Sequence, residues 1–304
     1  MSATPAKIKS RWRTSSGGRL AEEAVRRLRA GEALSGLGLE VVDGRFDLRG
    51  VTWAKAPAMW EDTVIEGIAL DHADLRHLRF VDCELRNCRF AQANCQDWRL
   101  WGTTIEDCSF DHADLRGSSL GAWRDGRGNT FRRVRFVSAD MASVGTSAAT
   151  YVDCDFSFAD LTRVNFWQST LAGCIFAGEL VDVVFDGRML GEEKPDPNPM
   201  KNVDFANAKF DGVDFRGVNF ATVTLPDDPD LLRVDDLAII DRATSVLASR
   251  PRDAASGLAS AIFQQVRRFH SSGASILLNR RDFEPAAALI TDVLREAGWA
   301  PHHP

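Results

Sequence analysis

The hexapeptide DHADLR occupies residues 71–76 and returns unchanged at residues 111–116. The forty-residue offset is a clue to something finer. Stepping by five from Ile65 gives Leu70, Leu75, Phe80, Leu85, Phe90, Cys95, Leu100, Ile105, Phe110, Leu115 and Leu120, all apolar. Two residues before most of these stands a small side chain, as at Ala73, Cys83, Cys88, Ala93, Cys108, Ala113 and Ser118; Leu78 and Trp98 are the bulky exceptions. The other three positions of each five are largely polar.

The phase breaks after Leu120 and resumes at Phe131. It then passes through Phe136, Met141, Tyr151, Phe156, Leu161, Phe166, Leu171 and Phe176. One residue is dropped before Leu180, Phe185 and Leu190, and a last run covers Met200, Phe205, Phe210, Phe215, Phe220 and Leu225. A weaker start is visible at Leu48 and Trp53. A period of five matches neither a helix, at 3.6, nor a plain strand, at 2. It matches a short strand followed by a turn. Residues two apart in a strand share a face, so each small residue and its large partner point the same way. A chain that bends after every five residues closes into a coil, and coils stack as a solenoid.

The pentads ADLRH at 73, ADLRG at 113, ADMAS at 139, ADLTR at 159, VDFAN at 203 and VDFRG at 213 resemble the A(D/N)LXX pattern of the pentapeptide repeat proteins. The resemblance covers about residues 45–225. It implies a mainly β fold: a right-handed, four-sided β-helix with four pentapeptides per coil. Twenty residues then make one coil, and the two DHADLR segments lie on one face two coils apart. The phases give about eight coils, a rod about 40 Å long at ~4.8 Å per strand.

This frame assigns the remaining features. Cys83, Cys88, Cys108, Cys154 and Cys174 fall at the small inward position and Cys95 at the large one, so they read as small buried hydrophobes rather than a redox or metal set. His72 and His112 fall at solvent-facing positions, too far apart to share a metal. GAWRDGRGNT, residues 121–130, interrupts the phase with Trp123, Arg124, Asp125 and Arg127 among glycines. That composition suits a partner-binding loop; a loop whose Trp folds back onto the rod is the other reading. GEEKPDPNP, residues 191–199, is expected to bulge outward because its prolines cannot pair in a ladder.

The ends need caps, since terminal coils expose unpaired strand edges. Residues 1–17 read as a disordered basic tail and 18–44 as a capping helix followed by its link. Residues 226–304 read as an α-helical domain, with helices expected in 230–250, 253–269 and 284–299. Residues 1–60 hold 11 basic and 6 acidic groups, while 61–225 carry a balance of −9 and 226–304 one of −2. No apolar run reaches the ~20 residues of a membrane span, and the N-terminus has no secretory apolar core. A cytoplasmic address is therefore expected. No nucleophile–base pair, nucleotide loop or metal cluster fits the frame, so neither enzyme activity nor a cofactor is expected, and no direct nucleic-acid contact.

The resemblance further implies a partner. Some pentapeptide repeat proteins bind type II topoisomerases, chiefly gyrase, by imitating duplex DNA, and so inhibit the enzyme or protect it from poisons. Asp71, Asp74, Asp111, Asp114, Asp140 and Asp160 would form the acidic surface. Against this, Arg76, Arg79, Arg86, Arg89, Arg99 and Arg116 interleave with them. The alternative is a rigid adaptor acting through its C-terminal helices, which, like either end cap, could also serve a homodimer.

Overall fold

A computed structural model describes residues 4–53, 59–188, 198, 200–270 and 273–301. Most of segment 191–199, expected to bulge, lies outside them.

Residues one coil apart are hydrogen-bonded in parallel. Ile65 pairs with Leu85, Leu85 with Ile105, Ile105 with Phe131, Phe131 with Tyr151 and Tyr151 with Leu171. A second column runs from Ala69 through Arg89, Ser109, Arg135, Asp155, Ile175 and Asp204 to Thr224. A third holds Asp74, Asn94, Asp114, Asp140 and Asp160, and a fourth holds Arg99, Ser119, Gly145, Asn165, Val184 and Asp214. Four columns five residues apart define a parallel β-helix with four faces. The pairing of Ile105 with Phe131 spans the first interruption, so the extra residues leave the register intact.

Each face turns into the next at a residue in the left-handed region. His72, Asn87 and Asp97 have φ of 58°, 49° and 59°. Asn, Asp and His tolerate this conformation better than other non-glycine residues and hold many of these corners, while Gln92, Ser138 and Phe158 adopt it too, at φ of 57°, 54° and 59°.

The axis is filled. Phe90, Phe110, Phe136, Phe156, Phe176 and Phe205 form one ring column with successive centroids 4.6, 5.4, 5.1, 4.9 and 5.0 Å apart. This matches the ~4.8 Å strand spacing. Burying each ring contributes roughly 1.5–3 kcal/mol, most of it offset by chain entropy. All six cysteines are buried and free. Cys88 and Cys108 stack, with the Cys88 amide donating to Cys108 Sγ at 3.3 Å. Burial pushes the Cys95 and Cys108 thiols well up, away from the reactive thiolate. Bulky Trp98 also fits inside, its indole N–H donating to the Leu75 carbonyl at 2.7 Å.

The N-terminal tail is not disordered over residues 4–17. Helix α1 (Pro5–Ser10) and a 3-10 turn (Arg11–Arg13) lead into helix α2 (Ser15–Arg29). Ile8 is buried, the Trp12 indole donates to the Arg49 carbonyl at 2.6 Å, and Arg11 reaches the Asp47 carboxylate at 2.6 Å. Among the tail's basic residues Arg11 thus acts as a tether to the first coil. Thr14 caps α2 by accepting from the Gly17 amide. Val41–Val42 and Arg45–Asp47 form a small antiparallel hairpin that starts the solenoid.

At the other end, residues 231–234 are a strand where a helix was expected. Leu231–Val234 pairs antiparallel with Ile276–Asn279, because Leu232 and Val234 alternate inward. Helices α3 (Leu237–Ala248), α4 (Ala254–Phe269) and α5 (Ala287–Glu296) pack on this pair around a second core containing Ile240, Phe263, Ile290 and Leu294. Asp236 and Asp253 cap α3 and α4, the latter in a capping box with Ser256. The unit is seated on the last coils. Ser275 N–H donates to the Val218 carbonyl at 2.8 Å, Asn279 Nδ2 to the Phe210 carbonyl at 3.1 Å, and Phe220 N–H to Ser275 Oγ at 3.0 Å.

Candidate functional site

The interruption after Leu120 is a hairpin. Arg124 N–H donates to the Arg127 carbonyl at 2.8 Å, and Arg127 N–H to the Arg124 carbonyl at 2.9 Å. The two central residues, Asp125 and Gly126, have φ of 50° and 74°. Positive φ at both is the type I′ turn that Asp-Gly favours. Gly121 and Gly128 flank the hairpin where it leaves the rod. A Cβ at either would lie 2.0 Å from a carbonyl oxygen of Ser147 or Ala148, so only glycine permits this approach.

The base is fixed by Asn129, which is fully buried. Its Nδ2 donates to the carbonyls of Leu100 and Leu120 at 3.0 and 2.9 Å, and its Oδ1 accepts from Thr103 N–H at 2.9 Å. The excursion breaks the ladder at this corner, and one amide side chain satisfies the groups left over. Sequence reasoning passed Asn129 over, although an Asn at a small inward position was a visible signal. Arg124 and Arg127 reach back to Asp82 at 3.5 and 3.8 Å. Trp123 does not fold onto the rod: it is 52% exposed, just before Arg124, which with Arg127 closes the two-residue turn.

The six expected carboxylates are distributed otherwise. Asp74, Asp114, Asp140 and Asp160 share one column, with Asn94 between the first two. Asp71 is not a surface group; it is buried and accepts from Arg89 at 2.8 Å and from the Ala91 amide at 3.2 Å. Asp111 pairs with Arg135 at 3.1 Å, Asp74 with Arg76 at 2.8 Å and Asp114 with Arg116 at 2.6 Å; Arg116 also reaches Asp140 at 3.1 Å. The hydrogen bond from Arg76 holds the Asp74 carboxyl below its ordinary range. Burial would raise Asp114, but hydrogen bonds from Arg116 and Gln96 outweigh it and the net shift is downward. The DHADLR motif carries this pairing itself: Asp and Arg two apart project from one face. Of the six, Asp160 has no ion pair. Among the described residues Asp153, Asp155 and Asp204 in the later coils have none either, and neither do Glu61, Asp62 and Glu66 before the hairpin, so uncompensated carboxylates lie on both sides of it.

Among the described residues no group of His, Cys, Asp and Glu is placed to hold a metal ion, and no helix is long and apolar enough to cross a membrane.

The regularity of the rod has a counterpart among known proteins. The model of the family described as pentapeptide repeats matches eight copies within residues 68–121, 147–178 and 200–225. Eight pentapeptide repeats of that family therefore lie within the four-faced β-helix. Among solved structures the chain is similar to full-length QnrB1, a plasmid-mediated fluoroquinolone resistance protein, at 16% identity over 60% of this chain and 92% of that one, with a TM-score of 0.29. It is similar also to HetL, involved in heterocyst differentiation regulation in the cyanobacterium Nostoc, at 16% identity over 68% and 97% of the chains, with a TM-score of 0.24. Rfr23 from the cyanobacterium Cyanothece matches at 8% identity over 57% and 95%, with a TM-score of 0.16. No curated protein matches the chain.

Proposed function

We propose that the chain is a non-catalytic, protein-binding rod that engages its partner through the hairpin at 121–128. One observation carries this reading: Trp123 is more than half exposed just before a turn whose base is anchored by a fully buried Asn129. An indole held out by a stiff support loses little freedom on docking, and Trp and Arg dominate the energetics of protein interfaces. The filled axis offers no pocket with convergent polar groups to support catalysis.

The test is quantitative affinity capture with the whole chain and with a Trp123→Ala, Arg127→Ala variant. The expected result is a protein retained by the first and weakened about 30-fold or more by the substitutions, the loss of a ~2 kcal/mol anchor. Equal retention by both chains would refute the reading.

A second reading names that partner as a type II topoisomerase approached by imitation of DNA. It is favoured by Asp160, Asp153, Asp155 and Asp204, carboxylates without arginine partners along the later coils. It is weakened by the arginines that neutralise several of the earlier ones, which give a mixed rather than a continuous negative field. It requires that the chain inhibit gyrase supercoiling or relieve its poisoning, and that Asp160→Asn with Asp155→Asn reduce the effect. No effect on gyrase at large molar excess removes this reading and leaves the first standing.

A further inference from the structure

The N-terminal helices do not lie flush on the first coil. Between them is a cavity of about 810 Å³, within the ~300–1,000 Å³ usual for small-molecule sites. Val25, Val51 and Trp53 give it an apolar floor, and Trp12 forms a wall. Its charged lining is weighted to cations. Lys9, Arg13, Arg26 and Arg29 stand against two acids, Glu22 and Asp74; Asp74 is already engaged by Arg76, and among the described residues Lys9 and Arg13 have no ion pair. Arg29 lies at the same cavity, its guanidinium 4.5 Å over the Trp60 ring. Trp53 itself is only 3% exposed and packs into the core beside Trp60, with ring centroids 5.5 Å apart.

We propose that this cavity binds a small aromatic carboxylate, its ring against the Trp12 indole and its anion toward Lys9 and Arg13. An indole wall favours a flat ring over a flexible alkyl chain, since ring pairs gain beyond the area they bury. Two cations without partners favour a carboxylate, which can accept from both. The site is at the opposite end of the chain from the C-terminal unit and does not depend on the hairpin reading.

Gly18 provides a clean block. It lies on α2 at the cavity, and a Cβ there would meet only the Trp12 carbonyl, at 3.8 Å. Gly18→Leu therefore projects into free space without moving the backbone, and leucine is the better helix former. The probe is 1-naphthylacetate, titrated calorimetrically into the full-length chain beside the neutral 1-naphthylacetamide and the aliphatic octanoate. The expected result is saturable one-site binding of 1-naphthylacetate. It should be weakened about tenfold by Lys9→Gln with Arg13→Gln, the scale of two half-exposed charge contacts. Binding should be abolished in Gly18→Leu while the circular dichroism spectrum and melting temperature are kept. Absence of saturation at millimolar probe, or undiminished binding to Gly18→Leu, would overturn the site. Equal binding of the amide would overturn the role of the cations, and equal binding of octanoate the aromatic class.

Discussion

Asn129 stands where the repeat elsewhere places a small side chain, apolar or, at Thr103 and Ser118, hydroxylic, and its longer amide reaches one carbonyl more, that of Leu120, because the corner beside it is interrupted. Its three hydrogen bonds all go to backbone groups that have no strand partner there. Asn129→Ala is expected to leave buried carbonyls and an amide unpaired, at about 1–3 kcal/mol for each group that water cannot reach. Urea unfolding should show the midpoint lowered. The hairpin, without its base, should become more susceptible to trypsin at Arg124 and Arg127. An unchanged midpoint would mean that the corner rests on its glycines alone. At this scale the sequence was partly legible. The inward Phe, Leu and Cys positions follow from the period of five. The pairing of Asp74 with Arg76 was written in the opening hexapeptide but is visible only once side-chain direction along a strand is considered. The burial of Asp71 was not legible, because its partner Arg89 comes from the next coil.

Among the elements, the N-terminal cap departs furthest from what composition implies. A run of Lys and Arg reads as solvated, yet Arg11 and Arg49 both clasp Asp47, at 2.6 and 2.9 Å, and Asp47 is 1% exposed. Burial would raise this carboxyl, but the hydrogen bonds from Arg49 and Arg11 prevail and hold it well below the ordinary carboxylate range. A depressed native pKa stabilises the fold fully above the unfolded value, so the clasp's contribution should be complete at neutral pH and decline progressively as the pH falls below about 4, where the unfolded chain takes up the proton first. Asp47→Asn should cost about 2 kcal/mol at pH 7, the worth of charged hydrogen bonds, and should flatten that acid limb. Thermal melts from pH 7 to 3 would check both. The strand at 231–234 was missed for a comparable reason. Its partner Ile276–Asn279 lies about 45 residues away, and a helical reading of the aspartate-flanked leucines was locally as good.

The molecule as a whole couples its rod to its C-terminal unit through a buried seam. Arg188 and Arg216 stack on Phe269 at 4.6 and 4.5 Å, and beside them half-buried His270 has an Nδ1 shielded from solvent and unpaired among the described residues. Burial, opposed by Asp214 and Asp186 and assisted by Arg188 and Arg216, pushes the His270 imidazole down to about 4. The unfolded chain takes up this proton near pH 6.5 and the native one only near 4, so stability is full above about 6.5 and declines as the pH falls through that window. His270→Phe should remove most of this dependence; an equally steep decline in the variant would place the titrating group elsewhere. A different consequence belongs to the contacts that Ser275 and Asn279 make with Val218, Phe220 and Phe210. A ladder is alike at every rung, and a bare top rung offers its open edge to a second copy, while the N-terminal cap keeps the first rung covered. Those few bonds therefore keep the chain single. Cut after residue 225, it should pair top to top, sedimenting as a dimer at concentrations where the intact chain runs as a single small species.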